Sequence, residues 1–443
     1  MEKKLFDTDH LVKTYFTQAI PLVLSMMVTM IYNIADTYFI AQTENTLLVA
    51  GVSLCAPLFT LLMAFGNIYA QGGSTLIARL LGMKDTESVK RVSSFCFYLA
   101  IFTGAVIGAI MLIFRGPLLR VLGASQDTIT YASEYYTVLA FGAPAIVVNF
   151  VHANSLRSEG KATQSMIGTI GGAVINIILD PIFISVFKLG AFGAALATVI
   201  GYVATVTYFL IVVIRNRGSL SVNFMNKKIS SSEFRQILAV GISAAITNIA
   251  SSITIVVMNQ YLLPFGAEKI AALGIVLKIS TVTSLVLVGF SFGGVPLFGY
   301  LYGAKDFASF KKLLRFCTLF ISGLGLVISI AFFAAATPLI RVFMDDLSIV
   351  RDGSLMLRWQ VIGLTFCGIV LLYSCLFQAI GKALPALILS LSRQGLVFLA
   401  VFGILILLAG YQGFLASQAV ADVISALIAL ALYFRVRNSN LIA

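Results

Sequence analysis

The sequence predicts an all-α polytopic membrane protein, with twelve transmembrane helices in two parallel six-helix bundles (a 6+6 pseudo-two-fold repeat). Three observations carry this. The 443 residues are 59% hydrophobic and only 11% charged, against roughly a quarter charged in an average soluble domain, and the mean hydropathy is +1.00. Apolar runs of about 20 residues, enough to cross a bilayer, recur along nearly the whole chain. The chain also matches itself at an offset of 221 residues.

The runs in the first half are 15–41, 46–77, 93–114, 129–154, 165–187 and 191–214. Those in the second are 238–264, 270–299, 314–336, 354–378, 385–408 and 412–434. The opening MEKKLFDTDHLVKTYF is polar, which is not the pattern of a signal peptide.

The repeat is carried by residues that apolar composition alone would not align. "ARLLGMKD" at 78–85 falls on "GYLYGAKD" at 299–306, pairing Gly82 with Gly303, Lys84 with Lys305 and Asp85 with Asp306. At the same offset Pro117 meets Pro338, Arg120 meets Arg341, and Gly160-Lys161 meets Gly381-Lys382. Six spans per half is an even number, so both halves enter and leave on one side. They are parallel repeats, the arrangement of transporters that rock one half against the other around a substrate. The expected organisation is an N-terminal bundle over 1–214, a polar linker over 215–236 and a C-terminal bundle over 237–443.

Of the 30 Lys and Arg, 21 fall on one side of these spans, Lys3, Lys4, Arg217 and Lys227 among them, and seven on the other. The positive-inside rule then places both termini in the cytoplasm of a cell whose plasma membrane the chain crosses repeatedly. Basic loops facing anionic lipid headgroups account for the net charge of +12 without nucleic acid. No nucleotide-binding loop or cofactor motif is present in the sequence, so neither ATP-driven transport nor a cofactor is expected. His10 and His152 do not meet a second histidine at metal-binding spacing. The five cysteines have no paired spacing. An enzyme is not expected.

Three acids lie inside spans: Asp36, Asp180 and Asp422. An ionisable group at bilayer depth costs about 2.5–3.5 kcal/mol and usually faces a cavity or a partner. Asp36 ends a stripe of Gln18, Ser25, Thr29 and Tyr32, recurring at helical steps on one face. Asp180 sits in "NIILDPIF" with Asn176 one turn before it and Pro181 directly behind, a proline that removes a backbone donor and bends the helix. Thr198, in "AALATVIG", adds a hydroxyl. A carboxylate, an amide and a hydroxyl together suit a proton carrier or an oxygen site for a hard monovalent cation. At the repeat offset Asp180 meets Val401 and Asn176 meets Val397, and Asp36 aligns with Asn259, so the acid pair belongs to the first half alone. The second half carries Asn248, Ser252 and Asn259, with Lys278, Arg393 and Asp422 as charged in-span groups. Buried pairing or snorkelling is the ordinary reading of those three, and Asp422 is a partner for Arg393 or Lys278.

These features resemble the multidrug and toxic compound extrusion (MATE) transporters over essentially the full length. The 6+6 repeat, "YNIADTYFI", "ARLLGMKD" and "NIILDPIF" followed by "GAALATVIG" carry the resemblance, closest to the DinF-like and MepA-like bacterial branch. It implies a V-shaped pair of bundles around a central cavity, exporting bulky organic cations in exchange for H+ or Na+. Carried over by position, the cation-coupling cluster falls on Asp36, Asn176, Asp180 and Thr198, the same four that would hold Na+. Tyr32, Thr29, Asn154 and Asn259 are the expected cavity residues, and Pro21 the proline that bends the first helix. The expected partners are drug-like cations and membrane lipids, and a single chain suffices. The branch favours H+. A lipid-linked oligosaccharide flippase of related fold is the alternative, disfavoured because only Lys278 and Arg393 are available for a pyrophosphate.

Overall fold

The computed structural model describes residues 6–215, 218–224, 228–344 and 346–438, and the side chains of residues 248, 249 and 267 lie outside that description. The Asn248 side chain, and Lys3, Lys4, Arg217 and Lys227 from the charge count, therefore fall outside it. Ten long apolar helical stretches are α1 Leu11–Ala41, α2 Thr46–Gly82, α3 Thr86–Ile113, α4 Ile129–Ser158, α5 Ala162–Val186, α6 Gly190–Arg215, α7 Ser231–Phe265, α8 Glu268–Gly303, α9 Phe307–Ala334 and α10 Leu347–Ala379. A final stretch, Ala383–Val436, holds two more. Gly410 has φ +54 and ψ −127, and Gly413 returns against the carbonyl of Leu405. Residues 383–409 are α11 and 411–436 are α12. Among the described residues these twelve helices correspond to the twelve predicted spans.

The repeat motif turns out to be a helix-turn-helix device. Lys84 and Lys305 both adopt positive φ, +60 and +58, to end the preceding helix. Asp85 and Asp306 then cap the next one, accepting from Ser88 N and Ser309 N at 3.0 Å each. Side-chain capping satisfies a backbone donor that a helix start otherwise leaves unpaired.

The contacts divide the chain into two compact units. One holds Leu24–Gly241, the other Asp7–Val23 with the residues from Ile242 on. This differs from a division at 215–236 in that the first part of α1, through Val23, joins the second unit and the first turns of α7, through Gly241, stay with the first, and close packing shows why. At the start of α7, Ile237 backbone lies where a Cβ on Gly72 of α2 would come within 2.0 Å, and Gly241 meets the Ile68 carbonyl in the same way. In the other unit Gly293 and Gly289 of α8 take Ala19 and Val23 of α1, and Tyr15 donates to the Phe290 carbonyl at 2.7 Å. Small residues permit this backbone approach where lipid supplies no hydrophobic drive.

The linker is fastened to the first unit. Buried Glu159, just past α4, accepts from the amides of Ser219 and Leu220 and pairs with Lys161 at 2.8 Å. Ser94 and Tyr98 of α3 donate to the carbonyls of Ser221 and Val222, both at 2.9 Å.

Candidate functional site

The site is assembled from four helices of the first unit. On α1 the polar stripe faces inward: Ser25 and Tyr32 are buried and Thr29 and Asp36 half-buried. On α5 the regular α-helix ends at Pro181 and a π turn follows over Ile182–Val186, the kind of local irregularity that recurs at functional positions. The proline has no N–H to continue the α pattern. Asn176 and Asp180 sit on the buried face of the turns before it, 2% and 0% exposed.

α6 comes close because glycine faces glycine. A Cβ on Gly172 would meet the Gly201 carbonyl at 2.6 Å, and one on Gly201 would meet the Gly172 carbonyl at 2.8 Å. That approach lets Asn176 Nδ2 donate to Thr198 Oγ1 at 3.3 Å. The Tyr32 side chain of α1 lies near Thr198 as well.

Asp180 is the unusual member. Neither of its carboxylate oxygens accepts a hydrogen bond, and the same holds for Asp36 Oδ1 and Asn176 Oδ1, all buried. Asp36 is near enough for the two carboxylates to feel each other's charge. Among the described residues neither acid forms an ion pair. Buried acceptors are ordinarily paired, and an uncompensated one is costly. Four orphan oxygens at one place have the chemistry to accept a proton or a hard monovalent cation. A cavity of about 300 Å³ opens beside them, lined by Tyr32, Asn33 and Asp36 of α1, by α2, and by Tyr135 of α4. Asp36 faces the cavity, and Asp180 is not among its lining residues.

The other sequence-predicted residues are distributed differently. Thr29 gives its hydroxyl to the Ser25 carbonyl of its own helix at 2.8 Å. Asn154 does not line this cavity: it donates to the Phe150 carbonyl at 2.8 Å and accepts from Arg157 Nη2 at 2.6 Å. Asn259 lies half-buried on α7 in the second unit. Pro21 lies inside α1, which continues through it as one helix. Asp422 pairs with Arg393 at 2.9 Å, and Lys278 is exposed.

Two residues escaped the sequence reading. Tyr135 lies within electrostatic reach of Asp36 and Asp180, and Tyr202 within reach of Asp36. Tyr202 follows Thr198 by one helical turn, so the 3.6-residue period already placed it on the same face. Tyr135, in "SEYYTV", carries no comparable signal.

A membrane protein whose described residues form twelve long helices in two repeats, with a buried acid pair in one of them, has the build of a transporter. The MatE family model matches the chain twice, over residues 21–182 and 240–405. The chain belongs to this family of multidrug and toxic compound extrusion transporters. It is 31% identical over 433 residues to the multidrug export protein MepA of Staphylococcus haemolyticus strain JCSC1435, covering 98% of this chain and 95% of that protein. The MepA of Staphylococcus aureus strain MRSA252 is 31% identical over 433 residues, with 98% and 96% covered. Among solved structures, a MATE in the bent conformation superposes with a TM-score of 0.90 at 25% identity, covering 97% of this chain and 96% of that one. An outward-facing multidrug resistance MATE transporter of the MOP superfamily gives 0.89 at 25%, with the same coverage. The chain is therefore a multidrug efflux transporter of the membrane, as the resemblance implied.

Proposed function

We propose that the chain is an antiporter of the bacterial plasma membrane, exporting organic cationic and amphipathic compounds in exchange for H+ or Na+ by alternating access, with coupling through Asp36 and Asp180. The observation that carries this reading is the pair of neighbouring carboxylates with three buried oxygens that accept nothing and no basic partner among the described residues. A structural ion pair, such as Arg393–Asp422, would have no such capacity.

With both termini cytoplasmic, Asp36 and Asp180 lie toward the outer ends of α1 and α5. Asp36 meets the cavity and receives the coupling ion first, and Asp180 holds it out of contact with solvent. Asn176 and Thr198 supply neutral oxygens, and Tyr32 lies between the cavity and Thr198. Neutralising the pair removes the attraction for an organic cation, which then leaves on the outside; in the inward-facing state the ion leaves and drug binds again. A single chain contains every group this needs. The family branch favours H+, and the same oxygens suit Na+.

The test uses the protein in liposomes holding a pH dye. Ethidium added under an imposed pH gradient should drive proton movement without Na+, and Asp36→Asn and Asp180→Asn should each lose it. Undiminished ethidium-driven exchange in a correctly inserted Asp180→Asn variant would falsify the coupling role.

A further inference from the structure

α11 and α12 adjoin in the second unit as α5 and α6 do in the first, and the 221-residue offset sets the pairs residue against residue. Arg393 corresponds to Gly172 and Asp422 to Gly201, the two glycines in backbone contact described above. Conversely Asn176, Asp180 and Thr198 correspond to Val397, Val401 and Ala419. The second unit has not kept the polar cluster of the first. It carries a different one, one to two turns nearer the start of α11, where the first unit needs no side chain at all.

The cluster is built with some care for one atom. Arg393 Nε donates to Asp422 Oδ1 at 2.9 Å, and Gln418 Nε2 donates to the same oxygen at 3.1 Å. Asp422 and Gln418 are 2% and 6% exposed. Gly363, where α10 bends by 46°, sits so close that a Cβ there would come within 2.6 Å of Asp422 Oδ2. Immediately after Arg393, α11 breaks at Gly395 (φ −138, ψ −120). The freed Gln394 is held by α7: Thr254 donates to its carbonyl at 2.8 Å and Ser251 to its side chain. Arg393 is thus anchored through the backbone beside it and through Nε.

What is left open is the other end. Guanidinium and carboxylate meet best through two parallel bonds, yet this pair has one, from Nε to the oxygen that Gln418 also donates to. Among the described residues the two Nη groups of Arg393 donate to nothing. The side chain keeps 15% exposure, and N–H donors at bilayer depth are not left facing hydrocarbon.

We propose that the Nη edge of Arg393 is an oxyanion subsite that takes the carboxylate of a zwitterionic amphiphile, with Asp422 and Gln418 as positioning residues that orient the fork. The inference rests on the export reading above and assigns to Arg393 the recognition of the carboxylate in compounds that carry one beside a cationic or aromatic part. A lipid phosphate has the same oxyanion chemistry, and the test separates the two.

The experiment measures binding of rhodamine 110, which carries a free carboxylate, and of its methyl ester rhodamine 123, to the full chain in phosphatidylcholine nanodiscs by fluorescence polarisation. Arg393→Lys keeps the charge and loses the fork. It should weaken the acid about tenfold or more while moving the ester less than about twofold, as loss of charge-assisted hydrogen bonds predicts. The double variant Arg393→Gln/Asp422→Asn, which leaves no unpaired charge behind, should behave alike and covers the case in which the single variant does not fold. Lys278→Gln should change neither dye. Equal weakening of acid and ester, no change in either, or the same selective loss in Lys278→Gln overturns the subsite. If phosphatidylglycerol in the nanodisc abolishes the acid preference of the wild type alone, the fork holds lipid phosphate and the carboxylate assignment falls. Failure of the wild type to bind either dye would sink the export reading, and this inference with it; ester binding without acid preference sinks only this one.

Discussion

Asp180→Asn should make the protein more stable and stop it working. The carboxyl is fully buried and both its oxygens lack a hydrogen-bond donor. An ionised carboxylate at bilayer depth costs about 2.5–3.5 kcal/mol on insertion scales. The amide removes that charge, and its NH2 is one turn from the orphan Asn176 Oδ1, where a new hydrogen bond contributes about 0.5–1.5 kcal/mol. At high pH, with the wild-type acid ionised, the variant should gain about 3–5 kcal/mol, on the order of 3–5 °C in Tm by the usual size scaling for a chain of this length. At low pH both side chains are neutral, so only the hydrogen-bond part should remain. The assay is thermal unfolding of purified protein across pH, run beside ethidium export. A site held together for function commonly shows this trade of stability for activity. A variant less stable at high pH, or one whose gain does not depend on pH, would refute the reasoning.

Other outcomes follow from the packing. Gly172→Ala places a Cβ 1.8 Å from Thr205 Oγ1 and should cost about 1–3 kcal/mol through overpacking, together with transport, since it pushes Asn176 from Thr198. Gly171→Ala, one residue away with nothing within 4 Å, should be neutral or gain up to about 1 kcal/mol of helix propensity; melting temperatures of the two distinguish them. Glu159→Ala leaves the amides of Ser219 and Leu220 unpaired, a loss of about 1–3 kcal/mol that limited trypsin digestion should report as faster cutting between α6 and α7. The hydrogen bonds from Ser88 hold the Asp85 carboxyl below the usual carboxylate range. Its cap is therefore fully present above that range and lost as pH falls through the lowered value. Asp85→Ala should cost about 1 kcal/mol at neutral pH, and thermal melts should show that difference shrinking in acid.

Much of this architecture was legible because the bilayer simplifies the code. Every span had to be long and apolar, so the twelve helices could be read from run length, and the Lys-Asp turns at 84–85 and 305–306 from their recurrence. The α1 stripe and the Asn176–Asp180 pair were legible because an acid in such a run has few ordinary explanations. Local sequence does not carry tertiary choice. Which half of α1 packs with which unit depends on glycines 270 residues away in the chain. Asn154 shares the composition of a cavity residue, yet Arg157, one turn on, claims it. Tyr135 is brought near the carboxylates by α4 packing, which no period in its own segment reveals. The Arg393–Asp422 pair needed α10 and α11 to break beside each other before Asp422 had a single partner to choose.

The most direct measurement is the release of ions when drug binds. Purified protein in weakly buffered solution is titrated with ethidium while pH and Na+ are followed together, for the wild type and for Asp36→Asn/Asp180→Asn. If the carboxylates are where drug and coupling ion exclude each other, the wild type releases H+, or Na+, as drug saturates, and the double variant releases neither. Equal release by both proteins, or drug binding by the wild type with no ion released, would contradict it.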